Sequence, residues 1–214
     1  MNIQKNIKNI IFDLGGVILN IDYNLTSKAF KELGIKDFDS IYSQANQNNV
    51  FNDFETGKLS SEDFTKYLKQ FTPNKTDLKI NKAWNAMLLD LPKERIQLLK
   101  SIKSNYRIFL LSNTNQIHVN AFSSYLDSEF GKNLFEGIFE NHYYSNEISF
   151  RKPNANAFNH VLNENGLIAQ ETLFIDDSIQ HIEGAKKVGL NTEWLKAGKD
   201  ITSLFLDKFL LTPH

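Results

Sequence analysis

The stretch IIFDLGGVILNID, residues 10–22, decides the fold. Its first half is a short apolar run that ends on an acid, Asp13, with Gly15 and Gly16 close behind. Short runs of β-branched and aromatic residues bounded by turn formers read as buried strands. A carboxylate inside a core is costly. Asp13 therefore belongs at the strand's end, where a ligand or a cation meets it. The glycines let the backbone beyond it come close to that ligand.

Further runs of the same kind lie downstream. They are YRIFLLSN (106–113), TLFIDDS (172–178) and NTEWL (191–195), with a weaker one at GIFENHYYS (137–145). Amphipathic helical patterns alternate with them at 92–105, where Ile96, Leu99 and Ile102 share a face, and at 154–166 and 178–189, closed by Gly166 and Gly189. The alternation predicts an α/β fold, a Rossmann-like parallel sheet with helices on both faces. Residues 20–90 break the rhythm. They carry helical patterns alone, near 24–33, 38–48, 60–70 and 76–88, the third opened by the start signal Ser60-x-x-Asp63. This predicts a small all-helical cap inserted after the first strand. The core would then comprise 1–19 and 91–214 and the cap 20–90, joined by connectors near 18–22 and 88–92.

Length and composition agree. A chain of 214 residues, 41% hydrophobic with 17 Phe, is large enough for one good core and a smaller appended unit. A net charge of −1 offers no basic surface for nucleic acid, and the lack of cysteine excludes disulfides and thiolate metal sites. Lys5 and Lys8 precede an apolar stretch, but Asp13 interrupts it too early for a secretory signal, and no run is long enough to span a membrane. The expectation is a cytoplasmic protein, a monomer or weak dimer, with no membrane partner.

In an open parallel sheet, ligands gather beyond the carboxyl ends of the strands. Three strands end there on polar groups: Asp13, Ser112 with Asn113, and Asp176 with Asp177. Asp13 and Asp177 brought together would repel unless a cation lay between them, and hard oxygen ligands favour Mg²⁺. Ser112 and Asn113 suit phosphate oxygens. Lys152 reads as a mobile cation able to reach a phosphoryl group, and Arg151 as an exposed loop residue. His118 is expected to cap or solvate the helix after the second strand, Asp22 to lie in solvent at the hinge, and Glu55 to sit in a loop between cap helices. Gly57 serves a turn, and Trp84 and Trp194 are assigned to the core.

FDLGGV, LLSNTN, RKP and FIDDSIQHIEGAKKVG together resemble, in order and spacing, the four motifs of the haloacid dehalogenase-like (HAD) superfamily. The helical insert resembles its helical cap. The finer pattern is similar to the bacterial α-D-glucose-1-phosphate phosphatase group, and more distantly to the phosphatase domain of soluble epoxide hydrolase. The resemblance implies that Asp13 is a nucleophile forming a phosphoaspartate. It implies Mg²⁺ ligation by Asp13, the Gly15 carbonyl and Asp177, with Asp176 adjacent and able to bind through water. It assigns the phosphoryl oxygens to Ser112, Asn113 and Lys152. Two positions depart from the pattern. Gly15 stands where a second Asp usually acts as acid and base, and His181 where Asp or Asn is common. The implied activity is a Mg²⁺-dependent phosphatase acting on a small phosphorylated metabolite. A sugar phosphate is expected, and a sugar 1-phosphate above all, since its hemiacetal hydroxyl leaves with least help. The alternatives are a 2-haloacid dehalogenase, which needs no metal and leaves the Asp176–Asp177 pair unexplained, and a catalytically impaired binding protein.

Overall fold

Five strands form one parallel sheet in the order β3-β2-β1-β4-β5: β1 (Asn9–Phe12), β2 (Arg107–Ser112), β3 (Asn141–Tyr144), β4 (Thr172–Asp176) and β5 (Asn191–Trp194). The computed structural model describes residues 6–47 and 49–208; Lys5 and residue 48, at the end of the second helical pattern, lie outside the described residues. The chain leaves β1 for β2 and β3 on one side and returns to β4 on the other. The strand order therefore reverses at β1, which puts a ligand crevice beyond its carboxyl end. The weak run 137–145 is only half a strand. Its start belongs to a short helix, and the strand proper begins at Asn141.

Buried on both faces, the three central strands β1, β2 and β4 alternate between two apolar clusters, as a period of two requires. Ile10, Phe12, Ile108, Leu110, Leu173 and Ile175 enter one cluster; Ile11, Phe109, Leu111 and Phe174 enter the other.

The insert after β1 holds five helices: α1 (Tyr23–Glu32), α2 (Phe38–Gln47), α3 (Val50–Glu55), α4 (Ser61–Lys69) and α5 (Asp77–Trp84). Ser60 caps α4 by accepting from the Asp63 amide, as its start signal predicts. The sequence reading did not separate α3, whose single turn and a half is too short for a periodic pattern. These helices share their own cluster, built on Phe30, Phe51, Phe54, Phe64 and Trp84, with Ile117 contributed from the sheet side. Phe54 and Phe64 stack at 4.0 Å, and Phe30 and Phe38 at 4.3 Å. The two connectors to the core pair with one another. Asn20 N–H donates to Asp90 O, Leu89 N–H to Asn20 O and Asp22 N–H to Met87 O.

The remaining helices pack against the sheet: α6 (Lys93–Lys103), α7 (Gln116–Phe130), α8 (Leu134–Ile138), α9 (Ser145–Ile148), α10 (Ala155–Glu164), α11 (Ile179–Lys187) and α12 (Ile201–Lys208). Buried residues of α6, α7, α8 and α12 cover one face, and those of α10 and α11 the other. Trp84 is buried as expected, but Trp194 is not a core residue. The residue is 39% exposed, Lys196 Nζ lies over its ring, and its Nε1–H donates to Asp177 O. No helix among the described residues is long and apolar enough to cross a membrane.

Candidate active site

Pairing of β1 with β4 continues one residue past β1, through the Asp13 N–H to Ile175 O bond, and so sets Asp13 beside Asp176. Between their carboxylates stands Lys152. Its Nζ lies 2.7 Å from Asp13 Oδ1 and 2.7 Å from Asp176 Oδ2, with the Phe174 ring 5.3 Å away. The lysine side chain is wholly buried. The expectation of a mobile loop cation is thus overturned. Two carboxylates and an aromatic face compensate the burial that an unpaired ammonium would not survive. Asn113 fixes the lysine's backbone by a reciprocal pair, its Nδ2 donating to Lys152 O and its Oδ1 accepting from Lys152 N–H. Both ends of that amide are therefore engaged with the chain, not directed at a ligand.

Asp176 has few free lone pairs. Its Oδ1 accepts from the Ser178 amide, and His181 Nδ1 lies 3.0 Å from both oxygens. Lys152 and His181 together draw its carboxyl below the usual range in spite of burial. Asp13 moves the other way. Burial, reinforced by Asp176 and Asp177, pushes it up to about 7 against the pull of Lys152. Asp177 is raised as well, by desolvation and by Asp176. Gly16 makes room for it: with φ +79°, a Cβ there would fall 2.2 Å from Asp177 Oδ2. Among the described residues the one acidic cluster able to hold a metal ion is Asp13, Asp176 and Asp177, with one oxygen of each within 4.8 Å of the others. Three carboxylates against one ammonium leave an excess of negative charge that suits a hard divalent cation.

Over this cluster opens a cleft of about 410 Å³, lined by Asp13, Gly15, Ser112, Asn113, Asp177 and His181 from the core and by Tyr23, Tyr42 and Glu55 from the helical insert. At Gly15 an added Cβ would sit 3.0 Å from Ile21 Cδ1. Where an acid would project, an apolar connector residue already stands. Ser112 ends β2, buried at the cleft floor.

The other candidates sort differently from the sequence reading. His118 is neither solvated nor a bare cap. Its ring is buried, stacked on Trp84 at 5.2 Å, with Nδ1 3.1 Å from Asn115 Nδ2 and Nε2 3.2 Å from Trp84 O. Burial drives its pKa down to about 4. Asp22 spends its carboxylate capping α1 through the Asn24 amide. His118 borders the cleft, but both its ring nitrogens are engaged, and the Asp22 carboxylate is taken up by its cap, so neither offers a free base. Glu55 closes helix α3 and is not a loop residue; its Oε2 stands 2.9 Å from Nη2 of Arg151, which lies in a loop and partly exposed, as expected, but is paired with this acid. Burial raises the Glu55 carboxyl, and Arg151 offsets part of the rise. Gly57 does serve a turn, at φ +72°, where a Cβ would collide with Asn146 O. Sequence reasoning passed over Tyr23 and Tyr42 in the cleft and gave Arg151 no part in it. No pattern marks them, because only the fold of the insert over the sheet brings them there.

A family model described as haloacid dehalogenase-like hydrolase matches residues 7–189. The chain belongs to that family. This HAD-like hydrolase is 31% identical over 195 residues to a D-ribitol-5-phosphate phosphatase of Bacteroides thetaiotaomicron, covering 91% of this chain and 94% of the relative. It superposes with a TM-score of 0.85 and 32% identity on a HAD-family enzyme of the same organism solved with magnesium and inorganic phosphate, over 93% of this chain and 99% of that one. A predicted HAD-like family hydrolase from Porphyromonas gingivalis matches at 28% identity and a TM-score of 0.82, over 98% and 100% of the two chains.

Proposed function

We propose that this hydrolase is a Mg²⁺-dependent phosphomonoesterase that removes phosphate from a small sugar or polyol phosphate through a phosphoaspartate on Asp13. The observation that carries the reading is the buried Asp13–Lys152–Asp176 arrangement, with both contacts to Nζ at 2.7 Å, beside Asp177 at the floor of a cleft. Relatives named for phosphate monoester hydrolysis, or solved with magnesium and phosphate, support it.

Asp13, Asp177 and the Gly15 carbonyl would hold Mg²⁺, with Asp176 behind them. When bound, the ion neutralises phosphoryl charge and lowers the pKa of Asp13 toward the ionised, nucleophilic form. The chain does the rest. Asp13 attacks phosphorus in line with the departing alkoxide, forming an acyl phosphate that water later cleaves. Lys152, Ser112 and amides of the Asn113 loop meet the equatorial oxygens as their charge grows. Asp176 is a positioning residue, holding Lys152 at the height of the reacting oxygens. A dehalogenase would leave the crowded carboxylates without purpose, and a mere binding protein the buried lysine.

Gly15 offers no acid for the leaving oxygen, a contribution worth roughly 10²–10⁴ in rate. Esters with acidic leaving groups, sugar 1-phosphates and aryl phosphates, should therefore turn over faster than the 6-phosphate of the same sugar. Phosphate release from glucose 1-phosphate, glucose 6-phosphate, ribitol 5-phosphate and an aryl phosphate, with Mg²⁺ and with EDTA, tests this. Asp13→Asn should abolish turnover while the protein stays folded by circular dichroism. Substantial release by that variant, or by the parent in EDTA, would defeat the mechanism.

A further inference from the structure

The cleft over Asp13 does not end at the phosphoryl site. A second chamber of about 240 Å³ continues beneath the helical insert, sharing Tyr23, Tyr42, Glu55 and His118 with the first and reaching Asp39 and Ser27 of α1 and α2. Glu55 thus stands where the two chambers join. Tyr23, 67% exposed, lines both chambers as well. From the core, Arg151 faces Glu55 across the cleft.

The pair is incompletely satisfied. Glu55 Oε2 stands 2.9 Å from Arg151 Nη2 yet makes no well-aligned hydrogen bond. Arg151 Nε is buried with no hydrogen-bond partner among the described residues. Buried polar atoms left in this state cost free energy, and a ligand that completes them recovers it. A hydroxyl is the group that does so, because it can donate to the carboxylate and accept from the guanidinium at once. A carboxylate or phosphate accepts only. It would meet Arg151 while facing Glu55, with Asp39 further in.

We propose that Glu55 and Arg151 read the distal end of the substrate, admitting a neutral polyhydroxylated tail and rejecting one that ends in an anion. The selection rests on the phosphatase reading of the same cleft, and adds to it the substrate class: acyclic polyol or neutral sugar phosphates over phosphorylated sugar acids. Selectivity comes from repulsion as much as attraction, since Glu55 removes the cation that would otherwise recruit an anionic tail.

The test compares a pentitol 5-phosphate with the pentonate 5-phosphate, which carries the same ester but ends in a carboxylate, at pH 8 with Mg²⁺. 4-Nitrophenyl phosphate reports the bare phosphatase reaction. The parent protein should favour the pentitol ester by tenfold or more in kcat/KM, chiefly through KM. In Glu55→Gln that ratio should fall below threefold or invert, because Arg151 is then free to take the carboxylate. In Arg151→Gln it should widen, because the acid is left alone. Each ratio is read within one protein, so a general loss of turnover cancels, and the opposite shifts of the two variants are not what a folding defect produces. A parent ratio under tenfold, or a failure of either variant to move it in the stated direction, overturns the inference while aryl phosphate hydrolysis keeps the phosphatase reading standing. No release from the aryl ester overturns both.

Discussion

Lys152 was visible in the sequence only as the middle of an RKP triplet, and its burial was not. Lysine is among the residues least often buried. The two acids that hold it lie 139 and 24 positions away along the chain. By contrast the placement of Asp13 and Asp177 at the carboxyl edge of the sheet was legible, because each follows an apolar run that forms a strand. Removing the ammonium should expose what it balances. Lys152→Met leaves Asp13 and Asp176 facing each other in a low-dielectric site, and breaking a buried pair in this way costs about 3–5 kcal/mol. Urea denaturation in Mg²⁺-free buffer at neutral pH should show that loss. An unchanged midpoint would mean that the two acids already share a proton and that the lysine contributes no net stability.

At the scale of elements, the start of α7 grips the end of α5. Asn115 Oδ1 accepts from Trp84 Nε1–H and from the His118 amide, while His118 stacks on the Trp84 ring and bonds its carbonyl. With Nδ1 accepting from Asn115 and Nε2–H donating to Trp84 O, the imidazole has no site for a second proton. None of this was readable in advance. The contact joins residues from two layers, and nothing local to a histidine six places after the end of β2 marks it as buried. A pH dependence follows, with a definite sign. The folded pKa is depressed from 6.5 to about 4. The stabilisation is therefore complete above the unfolded value and is lost as pH falls from about 6.5 toward 4, where the unfolded chain takes up a proton that the folded one refuses. The full effect is at most about 3 kcal/mol. Unfolding free energies at pH 7.5 and pH 5 should differ by most of that amount in the parent protein and by clearly less in His118→Gln. Equal slopes in the two proteins would place the acid sensitivity elsewhere.

At the scale of the whole molecule, the order of strands and helices was legible because both faces of a parallel sheet are buried, so its strands read as continuous apolar runs. The insert was legible as an interruption of that rhythm. What the pattern could not convey was how the insert seats on the sheet, and with it Tyr23, Tyr42 and the Glu55–Arg151 pair. We expect the five helices of the insert to form a separate cooperative unit. Their aromatic cluster takes only Ile117 and the Asn115–His118 contact on Trp84 from α7, and their two connectors are tied chiefly to each other. Phe64 is the place to test it, wholly buried between Phe54, Phe51 and Trp84. Phe64→Ala should cost about 3–5 kcal/mol, more than a small unit of this kind is expected to hold in reserve. Amide hydrogen exchange should then rise across α1 to α5 while β1, β2 and β4 keep their protection, since local units open independently of the global transition. Because Glu55 and Tyr23 belong to the opened part, phosphatase turnover should fall with it. Equal loss of protection in the strands would show instead that insert and sheet unfold as one, and the division of the chain into core and cap would have no energetic meaning.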